Sequence, residues 1–373
     1  MINNRISSGL VTIISLTLAA TAAAQPSISS GSGTVANGQA YTITGTGFGS
    51  HDNYGSPNGP WLNAGWNSFE TSLTSGGWAP DGFDPGNVNL STSSPRGGAS
   101  GQFFRKTHTT GHQQGSEQFI HSGTNGVFYT SFWYRESASS PELGNAACSK
   151  YFRHYMADAV TFPAYNFYFG PAFENGTGFV TPPAELNRYS GTAAFGGDPY
   201  HPQNLWRFME VIEFLGTATS DASSIYGSAD YFEHRLNNTR LLRRGTGLTS
   251  NHIDAEGTDT NENQRWVGSA GAGTADGHDT ALGSHLCDSE ASSAYMDFDD
   301  VYISYTIARV MCGNASTFAT STAFEMQLPT AWSSTSITVT LNRGALSSMG
   351  ACYLYVINED NEVNANGFLL SGA

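Results

Sequence analysis

Between Tyr295 and Cys312 the chain reads YMDFDDVYISYTIARVMC, and its polarity alternates with the two-residue period of a β-strand. From Val301 the odd positions Val301, Ile303, Tyr305 and Ile307 are apolar, whereas Asp300, Ser304 and Thr306 are polar. That is the pattern of a half-buried strand. Upstream the phase reverses, with Met296 and Phe298 apolar and Asp297 and Asp299 charged. A strand keeps one phase unless an extra residue is inserted, so a bulge or a strand end is expected at Asp299–Asp300. The stretch reads as the last strand of one domain running into the first returning strand of another.

The rest of the chain follows the same rhythm. Helical periodicity is scarce, while 43 Gly, 17 Tyr, 22 Phe and 7 Trp are spread over short apolar runs separated by turn residues. This composition predicts an all-β protein. Gly126–Glu136 (GVFYTSFWYRE) is aromatic on both faces, with Phe128, Phe132 and Tyr134 opposed to Tyr129 and Trp133. Lys150–Met156, Asn166–Phe169, Leu205–Leu215 and Tyr231–Arg244 are further strand candidates, the last with Asn237-Asn238 as a hairpin turn. Runs that are apolar on both sides belong at the centre of stacked sheets.

At the N-terminus, Arg5, the apolar run Ile6–Leu18 and Ala22-Ala23-Ala24 form the pattern of a secretory signal peptide over residues 1–24, cut before Gln25. No later run is long and apolar enough to span a membrane, so a secreted, soluble chain without membrane insertion is expected. A formal charge of −15, with Lys106 and Lys150 as the lysines, speaks against nucleic acid and anionic membranes as partners. Arg240, Arg243 and Arg244 cluster in the expected hairpin, where they suit a solvated sheet edge. Cys148, Cys287, Cys312 and Cys352 allow three connectivities, and the absence of a C-x-x-C pair disfavours zinc knuckles, thioredoxin-type motifs and c-type haem.

Residues 26–50 contain a strand around Tyr41 and Ile43 followed by the glycines of GTGFG. This resembles the opening of an IPT/TIG-type immunoglobulin-like domain, but the expected continuation does not follow Ser50. It comes at the far end, where Ile337, Val339 and Leu341 alternate with threonines, and Tyr353, Tyr355 and Ile357 with Leu354 and Val356. The resemblance implies a split domain, 26–50 plus 306–373, with residues 51–305 inserted at one surface turn; an independent C-terminal domain is the alternative. The insert, closed by DDVYI, resembles the concanavalin A-like or laminin-G-like jelly roll. If each domain keeps its own cysteines, the disulfides are Cys312–Cys352 and Cys148–Cys287.

Three constellations are candidates for chemistry. Arg153, His154, Tyr155, Tyr165, Asn166 and Tyr168 resemble the lining of jelly-roll polysaccharide lyases, in which a cation neutralises a uronate carboxylate and a Tyr or His removes the adjacent proton. Alternation sets Arg153 and Tyr155 on one face and His154 on the other; His234 is a further candidate, and Gln118-Phe119-Ile120-His121 is only loosely a Gln-x-His element. The plain alternative is an aromatic sheet face with satisfied polar tips. Glu210 and Glu213, three apart on one strand, fall on opposite faces and form no acid–nucleophile pair; Asp297 and Asp299 have the two-residue spacing of a glucanase motif without its glutamates. Asp299 and Asp300, and the run Asp254, Glu256, Asp259, Asn261, Glu262, Asp276, His278 and Asp279, carry the oxygen-rich chemistry of Ca²⁺ ligands, or else stay solvated.

The leading expectation is a secreted, non-catalytic surface or matrix protein that recognises a polysaccharide or cell-surface glycan. Aromatic rings stack on sugar C–H faces, which makes Trp61, Trp66, Trp78, Trp133 and Trp206 candidates; those in glycine-rich loops (Trp61, Trp66, Trp78) are expected to be exposed. The alternatives are a polysaccharide lyase using Arg153, Tyr155 and His234, and a structural protein that self-assembles through its strand edges.

Overall fold

The computed structural model describes residues 24–51, 65–74, 78–80, 88–96, 101–107, 113–114, 117–121, 126–137, 150–156, 165–169, 178–181, 193–195, 204–215, 231–236, 239–245, 278–286, 295–304 and 306–371. The side chains described are those of 24–51, 65–74, 78, 88–96, 101–107, 129–135, 137, 204–212, 282, 295–304 and 306–371. The chain opens with β1 (Ser27–Gly33) and β2 (Ala40–Thr46). Then come β3 (Trp78–Pro80), β4 (Val88–Ser91), β5 (Phe103–Thr107), β6 (Gln113–Gln114), β7 (Glu117–His121) and β8 (Gly126–Glu136). After them run β9 (Lys150–Met156), β10 (Tyr165–Phe169), β11 (Gly178–Thr181), β12 (Ala193–Phe195) and β13 (Arg207–Leu215). β14 (Tyr231–Leu236), β15 (Thr239–Gly245), β16 (His278–Leu286) and β17 (Tyr295–Ser304) follow. β18 (Arg309–Gly313), β19 (Phe324–Trp332), β20 (Ser336–Thr340), β21 (Tyr353–Ile357) and β22 (Phe368–Leu369) complete the set.

The fold is all-β. Strands β3–β17 form a jelly-roll sandwich of two antiparallel sheets, one ordered β12-β11-β10-β9-β16-β7-β3 with β6 also on β16, the other β15-β14-β13-β8-β17-β5-β4. The chain crosses repeatedly between them, so sequence neighbours such as β16 and β17 lie in different sheets. β14 and β15 make a hairpin with Leu236 opposite Thr239, and β15, with Arg240, Arg243 and Arg244, is the outermost strand of its sheet.

Alternation in β8 explains how the second sheet is covered. Phe132 and Tyr134 meet Phe298 of β17, with ring centroids 5.9 and 5.3 Å apart, and Phe104 of β5 joins them at 5.3 Å. The opposite face carries Tyr129 and Trp133, which cluster with Phe208, Ile212 and Tyr302 and with Met311, Phe324, Met326, Tyr355 and Ile357 from the C-terminal strands. Each such buried ring or aliphatic chain contributes about 1.5–3 kcal/mol. Both faces are covered, and both are therefore apolar.

For β17 this corrects the expectation of a half-buried strand. All residues from Met296 to Ser304 are buried, because the C-terminal strands cover the face that alternation assigned to solvent. The bulge is where the phase reversal puts it. Register with β8 shifts between Asp299 and Tyr302, and Asp300 has φ of 47°.

The remaining strands share one sheet of order β1-β2-β20-β19-β18-β21-β22, so both ends of the chain meet in it. β19 pairs through Phe324–Gln327 with β18 and from Leu328 onward with β20. The switch falls at an irregularity beside Pro329, a residue unable to donate to a ladder. The sheet thereby doubles over a core of Tyr41, Ile43, Val310, Ile337, Val339 and Leu354, among others. The Cys312–Cys352 disulfide is buried in it. Where the chain leaves this sheet, the Ser50 amide donates to Glu359 Oε2 at 2.7 Å, and a Cβ on Gly49 (φ 66°) would collide with that carboxylate.

Cys148 and Cys287 lie outside the described residues. The outermost pair between β9 and β16 is Lys150 with His285, and each cysteine is two residues beyond it in the same direction. Peptide mapping of the unreduced protein is expected to recover Cys148 linked to Cys287. A Cys148 peptide linked to Cys312 or Cys352 would overturn this.

Candidate functional site

Register across the eight-stranded sheet brings scattered polar and aromatic positions into two transverse rows. Gln118 of β7 lies opposite Ala281 of β16, which lies opposite Arg153 of β9, which lies opposite Tyr168 of β10. One step along, Ile120, Asp279, Tyr155 and Asn166 form the next row on the same face. The alternate positions identify the other face as the core side. There Leu282, fully buried, pairs with Phe152, and Trp78, 1% exposed, pairs with Phe119. Gln118, Arg153, Tyr155, Asn166, Tyr168 and Asp279 thus share the face away from that core, and His154 falls on the core face.

His234 is not part of this constellation: it sits on β14, in the other sheet, opposite Val211. Gln118 and Asp279 are, and the local sequence concealed both. Gln118 stands in a run whose Gln-to-His spacing puts the two on opposite faces. His278 and Asp279 read as part of an acidic loop but open β16, paired on both sides. Asp254, Glu256, Asp259, Asn261, Glu262 and Asp276 lie outside the described residues, as does Trp61.

The other four candidate tryptophans are largely absorbed by packing. Trp78 is buried, not exposed as its glycine-rich setting suggested, because its Nε1 donates to the Gly65 carbonyl at 2.9 Å and its ring reaches the core. Trp133 is 7% exposed, with the Arg96 guanidinium 4.5 Å from its ring centroid. Trp66 and Trp206 are half-buried against the cluster between the sandwich and the C-terminal strands. Trp206 also has Arg135 4.6 Å above its ring and Phe103 edge-on at 5.3 Å.

The acidic residues of β17 are held by arginines. Asp297 accepts from Arg105 Nε (2.6 Å) and Nη2 (2.9 Å), and from Arg135 Nε (2.9 Å) and Nη2 (2.6 Å). Burial pushes its carboxyl up, against the pull of those two guanidiniums. Asp299 Oδ2 accepts from Arg96 Nε at 3.1 Å, and Arg96 also pairs with Asp300 and with Glu325 of β19. A guanidinium therefore occupies the position assigned to Ca²⁺ beside Asp299 and Asp300. It satisfies the same lone pairs without a metal. Among the described residues, no group of three His, Cys, Asp or Glu is arranged to hold a metal ion.

Glu210 is buried as well, in a triad beneath β18. Tyr129 Oη donates to its Oε1 at 2.8 Å, and Arg309 Nη2 lies 3.0 Å from the same oxygen. The Arg309 guanidinium also covers the Tyr129 ring at 4.5 Å, and its Nη1 donates to the Ile307 carbonyl at 2.8 Å. These carboxylates are structural partners.

No family model and no curated protein matches the chain. Among solved structures it is similar to the cellulose-induced protein Cip1, with a TM-score of 0.40 and 13% identity over 65% of this chain and 97% of the other. It is also similar to the alginate lyase vAL-1 from Chlorella virus (TM-score 0.38, 11% identity, 62% and 93% covered). A third similarity is to the exoplasmic/lumenal domain of VIP36 in a Ca²⁺/Man3GlcNAc-bound form (TM-score 0.35, 9% identity, 64% and 88% covered).

Proposed function

We propose that this is a secreted protein that recognises a polysaccharide on the face of the eight-stranded sheet carrying Gln118, Arg153, Tyr155, Asn166, Tyr168 and Asp279. The observation that supports this reading is the register: residues from four strands meet in two adjacent rows on the side away from Trp78 and Leu282. Phenol rings offer stacking surface to sugar C–H faces, while an amide, a guanidinium and a carboxylate supply fixed hydrogen-bond directions. The buried Cys312–Cys352 disulfide fits an oxidising compartment, in keeping with a cleaved segment at residues 1–24. The sheet made from both chain ends is in this reading a split IPT/TIG-type immunoglobulin-like domain that presents the sandwich.

Retention of the mature protein on a panel of neutral and uronic-acid polysaccharides tests this. Arg153→Ala and Tyr168→Ala are each expected to weaken retention about tenfold. Undiminished retention in both variants would end the assignment.

A second reading is favoured by the placement of Arg153 beside Tyr155 and Tyr168 on one face. In a polysaccharide lyase the guanidinium pairs with a uronate carboxylate, and a tyrosine in its phenolate form takes the proton from the adjacent carbon. The electron pair forms a carbon–carbon double bond as the glycosidic C–O bond breaks, and the resulting phenol returns its proton to the departing oxygen. Ultraviolet absorbance of the unsaturated product would separate the two: Tyr155→Phe would abolish product while leaving retention intact. Retention without product keeps the protein a binder.

A further inference from the structure

The sandwich and the C-terminal strands meet across a buried ionic cluster whose charges do not balance. Arg96, 3% exposed, pairs with Asp299 and Asp300 of the sandwich and with Glu325 of β19. Three carboxyls thus share one guanidinium where water is excluded, and all three are buried. Among the described residues, the other hydrogen-bond donors to these carboxyls are neutral. The Ala345 amide donates to Glu325 Oε1 at 2.8 Å, Asn342 Nδ2 donates to Asp300 Oδ2 at 3.3 Å, and the Asp300 amide donates to Asp299 Oδ1 at 2.9 Å. Glu325 Oε2 has no hydrogen-bond partner among the described residues. A Cβ on Gly344 (φ 48°) would collide with the Glu325 carboxyl, so the loop after β20 closes directly over it. Among the described residues, Trp133 from β8 lies under Arg96, and Glu70 from the segment before β3 adds negative charge beside Asp299.

We propose that this cluster is a proton-operated latch: while it keeps a proton it clamps the sandwich to the C-terminal sheet, and loss of that proton loosens the contact. The charge count is the physical reason. One guanidinium can compensate one carboxylate, a second excess charge in an apolar interface is costly, and a shared proton removes it. The titration supports the same view. Burial, opposed by Arg96 and reinforced by Asp300, pushes the Glu325 carboxyl up to about 7, and burial together with Asp300 raises that of Asp299. The sign follows. A carboxyl raised on folding binds more protons in the native than in the unfolded state between its two pKa values, so stability falls as pH rises through that window. The window for Glu325 runs from its ordinary carboxylate value of 4.5 to about 7. The latch is independent of the polysaccharide reading.

Thermal unfolding of the full protein from pH 5 to pH 8.5 reads the effect, together with amide hydrogen exchange of β17 and β19 at the two ends of the range. The parent is expected to lose several degrees in Tm as pH rises, with protection factors falling at β17 and β19 before the β1–β2 pair. Glu325→Gln keeps the shape of the protonated carboxyl and removes its titration, so its Tm should be flatter over the same interval. An equal slope in parent and Glu325→Gln would overturn the proposal. If that variant does not fold, Asp300→Asn and the parent's exchange pattern decide: protection factors, with the pH dependence of intrinsic exchange divided out, that fall uniformly over all strands would overturn it equally.

Discussion

Arg309→Met is expected to destabilise the protein by about 3–5 kcal/mol, because it strands Glu210 as a buried carboxylate without its cation. Both side chains are wholly inaccessible, and they come from different parts of the fold: Glu210 from β13 of the sandwich, Arg309 from β18 of the C-terminal sheet. Water cannot reach Glu210 to replace the guanidinium, and Tyr129 Oη remains as the donor that reaches it. The Oε2 atom has no hydrogen-bond partner among the described residues even in the parent. Urea unfolding measures the loss as a lower midpoint. Arg309→Met combined with Glu210→Gln should recover part of it, since Gln keeps an acceptor for Tyr129 and brings no charge, and the double-mutant cycle then isolates the pair. A single-variant loss below about 1 kcal/mol would mean that solvent enters this interface.

Together with Arg96, this pair suggests what the buried charges accomplish. An apolar cluster of Phe, Tyr and Met side chains supplies attraction between sandwich and sheet but little directional preference. Two ionic contacts, Glu210–Arg309 and Arg96–Glu325, are met only at one docking geometry, and a slipped arrangement leaves charges buried and unpaired. The apolar residues hold the two parts together, and the ions select how they sit.

Local features of the chain were legible because local physics produces them. The phase reversal at Asp299–Asp300 announced the bulge, since a two-residue period has no other way to change face. The two-faced aromatic run Gly126–Glu136 announced a strand covered on both sides. β2 lies beside β20, so strands from distant parts of the sequence share one sheet. Hidden were the partners that come from afar. Nothing around Arg96, in a Ser-Pro-Arg-Gly turn sequence, shows that it meets carboxylates 203 and 229 positions away. Adjacent aspartates advertise a need for positive charge without saying whether a metal or a guanidinium will meet it. Glycine neighbours suggested that Trp78 is exposed, whereas the carbonyl that receives its indole N–H decides otherwise. For the rows on the eight-stranded sheet, alternation paired Arg153 with Tyr155, but only register could bring in Gln118 and Asp279 and assign His234 to the other sheet.

The second large effect is expected from removing the disulfide. Cys312 and Cys352 are 40 positions apart, and opening a loop of that length restores unfolded-state entropy equivalent to about 4 kcal/mol. Both sulfurs lie in the core of the doubled sheet, so Cys312→Ala with Cys352→Ala also leaves unfilled volume there. Because β1, β2 and β20 share that core with β18 and β21, the damage should reach both chain ends. The C-terminal strands also cover the outer face of β8 and β17, so the sandwich should lose its support in the same step. Chemical denaturation of the double variant is thus expected to show one transition at a clearly lower midpoint, with tryptophan fluorescence, to which Trp66, Trp133 and Trp206 of the interface cluster contribute, changing in the same range as far-ultraviolet circular dichroism. Two separated transitions, with only the earlier one shifted, would show that the sandwich stands without the sheet that covers it, and would reduce the two ionic contacts to surface decoration.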